Sequence, residues 1–86
     1  MYSIKYHKRV AKFINSRTPK DKKHIKQKMD KIKQNPYPTN ASADIKKLKN
    51  RVGFRLRVGN YRFIYEVAEN ELIIYMENGD NRGDAY

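Results

Sequence analysis

The stretch that most constrains the fold is residues 53–67, GFRLRVGNYRFIYEV. Phe54, Leu56 and Val58 alternate with Arg55 and Arg57. After Gly59-Asn60, the residues Tyr61, Phe63, Tyr65 and Val67 alternate with Arg62, Ile64 and Glu66. A period of two is that of a strand with one buried face, and a Gly-Asn pair accepts the positive φ of a tight turn, so the stretch predicts a β-hairpin. A two-residue loop sets Val58 opposite Tyr61, Leu56 opposite Phe63 and Phe54 opposite Tyr65, which makes one apolar face. The other face then holds Arg57 opposite Arg62, with Arg55 one pair further along. Like charges opposed on a sheet repel. Such a pair is either neutralised by Glu66 or Glu77, or left to splay into water, or presented to an anion.

Around the hairpin, Tyr2, Ile4 and Tyr6 alternate with Ser3 and Lys5 and predict a strand. Val10, Phe13 and Ile14 form an apolar stripe at i, i+3, i+4, which predicts a helix over 8–16. Thr18-Pro19-Lys20-Asp21 has the chemistry of a helix start: Thr at the N-cap, Pro at the first helical position and an acid at the capping-box position. That second helix runs to about Gln34, lined by Ile25, Met29 and Ile32. Asn35-Pro36 stops it, because the residue before Pro avoids the helical region. Residues 36–50 read as a loop anchored by Ile45 and Leu48. A second two-residue turn at Glu69-Asn70 leads into a strand over 72–78. That register sets Arg62 opposite Glu77, Ile64 opposite Tyr75, Phe63 opposite Met76 and Tyr65 opposite Ile74. The expected architecture is α+β, in the order β-α-α-β-β-β: an antiparallel sheet with an N-terminal αα-hairpin packed on one face, spanning residues 1–86 as a single domain.

Charge divides the chain. Residues 1–52 hold 16 Lys/Arg and 3 acids, whereas residues 53–86 hold 4 Arg and 6 acids, within a net charge of +11. The lysines sit on the predicted helices, where Lys22, Lys26 and Lys33 are candidates for phosphate or RNA contact. A charge run on a helix is, more simply, a solvated face. The hairpin's cations are all Arg, whose rigid donor fork suits phosphate better than the mobile Lys ammonium. A basic chain of this kind favours nucleic acid, the ribosome or an acidic protein as partner. With no Cys among its 86 residues, a disulfide framework or thiolate zinc site is excluded. No secretory signal and no apolar run long enough to span a bilayer is visible, so no membrane role and a cytoplasmic location are expected. No phosphate loop, dinucleotide-binding fingerprint, HExxH or EF-hand motif occurs, and His7 and His24 have no spacing partners for a metal or triad.

The pair RLRVGNYRFIYEV and NRGDAY, with the basic charge and element order, resembles the RelE/ParE superfamily of bacterial type II toxins across essentially the whole chain. The RelE branch, which the resemblance favours, implies a ribosome-dependent mRNA endoribonuclease that needs no cofactor and is silenced by a cognate acidic antitoxin wrapped over its helical and sheet surfaces. Its partners would be the ribosome and mRNA. The 2′-hydroxyl attacks the adjacent phosphate, leaving a 2′,3′-cyclic phosphate and a 5′-hydroxyl. By resemblance Arg62 would hold the scissile phosphate, Arg82 would stabilise developing charge and Tyr86 would orient or stack on the nucleotide, with Arg55 and Arg57 beside them on the phosphate. Gly53 stands where one branch has a lysine, and no His occupies the tail. An arginine is a poor general base because its pKa lies above about 12; Glu77, Tyr86 or an rRNA group are the candidates. The ParE branch shares the fold and inhibits DNA gyrase without nuclease activity.

Overall fold

The computed structural model describes residues 1–39 and 44–81. The elements are β1 (Ser3–Tyr6), α1 (Lys8–Asn15), α2 (Pro19–Gln34), β2 (Ile45–Lys47), β3 (Phe54–Val58), β4 (Tyr61–Ala68) and β5 (Ile73–Asn81). They form a five-stranded sheet in the order β1-β5-β4-β3-β2.

The β3–β4 hairpin has the expected register: Val58 pairs with Tyr61, Arg57 with Arg62, Leu56 with Phe63 and Phe54 with Tyr65. Gly59 has φ +57°, whereas Asn60 is not in the positive region. A positive φ at the first central position alone is the pattern of a type II′ turn, which matches the right-handed twist of the flanking strands. Both helices start as their caps predict. Thr18 Oγ1 accepts from Asp21 N at 3.2 Å, and His7 Nδ1 accepts from Arg9 N at 3.1 Å, each satisfying one of the orphan donors of a helix N-terminus.

The helices cover one face of the sheet. Val10 of α1 and Ile25, Met29 and Ile32 of α2 are buried together with Leu56, Val58, Phe63, Tyr65, Ile74 and Met76. Each such side chain contributes about 1.5–3 kcal/mol on burial. Phe13 seals the end of this core, edge-on to Tyr61 and Phe63 with centroids 5.6 and 6.0 Å away, and the Arg17 guanidinium lies 4.3 Å over its ring. Among the described residues, the hydroxyl deep in the core is that of Tyr65, which donates to Pro36 O at 2.5 Å. Burial pushes that phenol's pKa up, so it remains a neutral donor.

The sheet departs from expectation in three places. First, it is mixed: β1 runs parallel to β5, with Ile4 beside Ile74 and Tyr6 beside Met76. The two helices supply the crossover that parallel neighbours need. Second, the segment expected to be a loop contains β2, antiparallel to β3, with Ile45 opposite Leu56 and Lys46 opposite Arg55. Ile45 is an anchor, packed against the core, and Leu48 is half-buried. Third, the β4–β5 connection spans Glu69–Leu72, not two residues. Ala68 pairs with Ile73, and Leu72 takes a φ of 55°. The register then slips once more. Tyr65 pairs with Met76 and Ile64 with Asn78, leaving Glu77 as the extra residue of a β-bulge. Asp80, not Glu77, therefore faces Arg62. Gly79 faces Phe63, and only glycine fits: a Cβ there would lie 2.8 Å from the Phe63 ring.

Candidate functional site

Alternation along β3 and β4 sends Arg55, Arg57 and Arg62 to the face of the sheet that the helices leave open. The pairs across β2, β3 and β4 set these cations in two rows. Arg57 lies opposite Arg62, and two residues along β3 Lys46 lies opposite Arg55. Acids flank the first row at both ends. The Asp44 carboxylate lies 3.8 Å from the Arg57 guanidinium, its backbone carbonyl accepts from Arg57 N at 2.8 Å, and Asp80 is the register partner of Arg62 on β5. Asp44 also bonds Lys28 of α2 at 2.5 Å, which ties the helix layer to this end of the row. The order is thus acid, Arg, Arg, acid. The two arginines are register partners in the middle of the row.

The far half of the same face is acidic. Glu77, pushed out by the bulge, is ion-paired with Arg51, and Arg51 also lies 3.9 Å from Glu66. A hydrogen bond between the two carboxyl groups raises the pKa of Glu66, because that bond needs a proton on one of them. Of the alternatives for the arginine pair, neutralisation by Glu66 or Glu77 is therefore not the one that forms. Both acids serve Arg51, and the acids next to Arg57 and Arg62 are Asp44 and Asp80.

Lys22, Lys26 and Lys33 do not join this cluster. They rim a groove of about 320 Å³ between α1 and α2, floored by Ala11, Ile14, Ile25 and Met29, on the helical side of the sheet. Arg82 and Tyr86 lie outside the described residues. Lys46, Asp44 and the placement of Asp80 opposite Arg62 are what sequence reading missed. Lys46 belongs to a strand that was not expected, and Asp80 reaches Arg62 only through the bulge. Among the described residues no group of three or more His, Cys, Asp or Glu could hold a metal ion, and no helix is long and apolar enough to cross a membrane.

No family model matches the chain. It is 33% identical over 86 residues to RelE1 of Methanocaldococcus jannaschii, described as a candidate toxin, covering 99% of this chain and 94% of that one. The fold is shared with the archaeal RelE-RelB complex of Pyrococcus horikoshii, at a TM-score of 0.81, 28% identity and coverage of 95% and 96% of the two chains. It is shared also with the RelB-RelE antitoxin-toxin complex of Methanococcus jannaschii, at a TM-score of 0.72, 26% identity and coverage of 94% and 93%. The chain belongs to the RelE family of type II toxins.

Proposed function

We propose that this toxin is a ribosome-dependent endoribonuclease that cuts mRNA at the open face of its sheet. The observation that carries this reading is the Arg57–Arg62 pair, two arginines directly opposite each other in the register of the sheet, with their acids on the outer flanks. Two neighbouring guanidinium forks on one open face suit a phosphate whose charge grows as the reaction proceeds. In-line attack forms the O2′–P bond and breaks the P–O5′ bond, and the phosphorane between them carries an extra negative charge. Donors already held in place for that charge lower the barrier without reorganising. Arg55 flanks the pair on the same face and would hold a neighbouring part of the backbone. Arg82 and Tyr86 would complete the site as developing-charge stabiliser and nucleotide platform. Neither Arg57 nor Arg62 can take the 2′-hydroxyl proton, since arginine stays charged below about pH 12.

The relatives solved as RelE-RelB complexes support an antitoxin as this toxin's partner. The groove between α1 and α2 suits that role better than it suits mRNA. Its floor is apolar and its rim carries Lys22, Lys26 and Lys33, which fits an amphipathic acidic helix. Lys22, Lys26 and Lys33 are thus assigned to the antitoxin and to rRNA phosphates, and the sheet arginines to the cut.

The test is expression of Arg62→Ala without antitoxin. The expected result is loss of translation arrest and of growth inhibition, with unfolding unchanged to within about 0.5 kcal/mol, as for other surface substitutions. Undiminished arrest by the folded variant would refute the assignment. Filamentation with DNA-damage signalling by the wild type would point to gyrase.

A further inference from the structure

The cationic surface does not stop at the arginine pair. β2 adds a second row, Lys46 opposite Arg55, two residues along β3 from the first. Two residues of extended chain span about 7 Å, a spacing close to that of successive phosphates in an extended single strand. Beyond this row the open face turns acidic, at Glu66 and Glu77. The basic surface instead continues over the edge of the sheet, where Lys46, Lys47, Leu48, Lys49 and Arg55 line a concavity of about 290 Å³. None of its four cations has a carboxylate within salt-bridge distance among the described residues, whereas Arg57 has Asp44 and Arg51 has both Glu66 and Glu77. Edge strands often carry lysines merely to block pairing with other chains. That role does not call for an arginine aligned opposite one of them, nor for a concavity shared with it.

We propose that Lys46, Lys47 and Lys49 of the β2 edge, with Arg55, bind the phosphodiester that neighbours the one held by Arg57 and Arg62. RNA would then enter or leave the site over β2, steered there by the acidic half of the face. The proposal rests on the reading of the open face as the RNA-cutting surface and assigns it a direction.

The test is fluorescence anisotropy with labelled, fully 2′-O-methylated single-stranded RNA, which cannot be cut, as a dinucleotide and as an octanucleotide. The proteins are the wild type, Arg62→Ala, the combined variant Lys46→Gln/Lys47→Gln/Lys49→Gln, and a variant of equal charge, Lys12→Gln/Lys20→Gln/Lys23→Gln on the exposed helices. The β2 variant should bind the octanucleotide on the order of tenfold more weakly. The slope of its log affinity against log salt should fall by about 0.7, the value for one phosphate of a single strand that is no longer neutralised. Its affinity for the dinucleotide and that of the helix variant for the octanucleotide should stay near wild type. Rescue by arginines at the three positions would confirm a direct role in binding rather than a structural effect. An unchanged octanucleotide affinity, or an equal loss in the helix variant, would overturn the β2 track while leaving the arginine site intact. Octanucleotide binding unaffected by Arg62→Ala, or no binding by the wild type, would instead overturn the reading on which the track rests.

Discussion

The two faces of the sheet are built from the same strands, one residue out of step, and they obey different rules. The helix-covered face is apolar and its centre is fully buried: Phe63, Tyr65 and Ile74 have no exposed surface. The open face sets Arg57 against Arg62 and Lys46 against Arg55, pairs that weaken a sheet rather than strengthen it. One face is chosen for stability and the other against it. A fold tolerates the second only because the first is well packed. Destabilising like-charge rows on a domain this small are thus best explained by what they bind.

That contrast can be broken most strongly from the inside. Phe63→Ala removes a fully buried ring that touches Phe13 and lies against Gly79. It should cost about 3–5 kcal/mol in denaturant unfolding, a large share of the roughly 5–15 kcal/mol typical of a domain. Arg62→Ala, its neighbour on the other face, should leave the unfolding midpoint almost unmoved. Equal destabilisation by the two would mean that the open face is structural after all.

A smaller effect tests the register that links the faces. In Gly79→Ala the new methyl would meet the Phe63 ring at 2.8–2.9 Å and Phe13 at 3.3 Å. Because Phe63 is enclosed, overpacking of this kind should cost about 1–3 kcal/mol. It should also disturb Asp80, the next residue, and hence the acid opposite Arg62. A variant as stable as the wild type would show that β5 can slide, and that the Arg62–Asp80 pairing is not fixed.

The smallest effect is one of pH. The Tyr37 and Tyr2 hydroxyls donate to Glu69, joining β1, the segment after α2 and the β4–β5 turn. These bonds hold the Glu69 carboxyl below its ordinary value of 4.5. A lowered folded-state pKa contributes stability that is present above the ordinary value and lost as pH falls through the folded one. Glu69→Gln should therefore be slightly less stable than the wild type at neutral pH, show a flatter acid limb, and converge with the wild type at low pH. Parallel curves for the two proteins would show that the clasp does not form.

What could be read in advance follows the same division. The β3–β4 register was legible because strict alternation and a Gly59 turn leave one solution, and the arginine pair followed directly. The β4–β5 register was not. Glu69-Asn70 offers a plausible two-residue turn, but the chain closes two residues later with Leu72 at positive φ, a conformation that leucine's side chain disfavours. Nothing in LIIYMENGD announces that Glu77 will be the bulged residue. β2 was hidden for a different reason. Three residues with a single apolar side chain have too little pattern to declare a strand, and β2 exists by pairing with β3. The parallel placement of β1 beside β5 depends on how two helices cross the sheet, which alternation within the strand does not encode.

The sharpest test of the proposed reaction is primer extension on an mRNA in a reconstituted translation reaction. Wild type and Arg62→Ala would be compared, each with and without ribosomes. If the open face cuts mRNA, new 5′ ends will lie within codons in the ribosomal A site and appear only with ribosomes and wild-type protein. No cleavage by folded wild-type protein, or the same ends from Arg62→Ala, would contradict that reading.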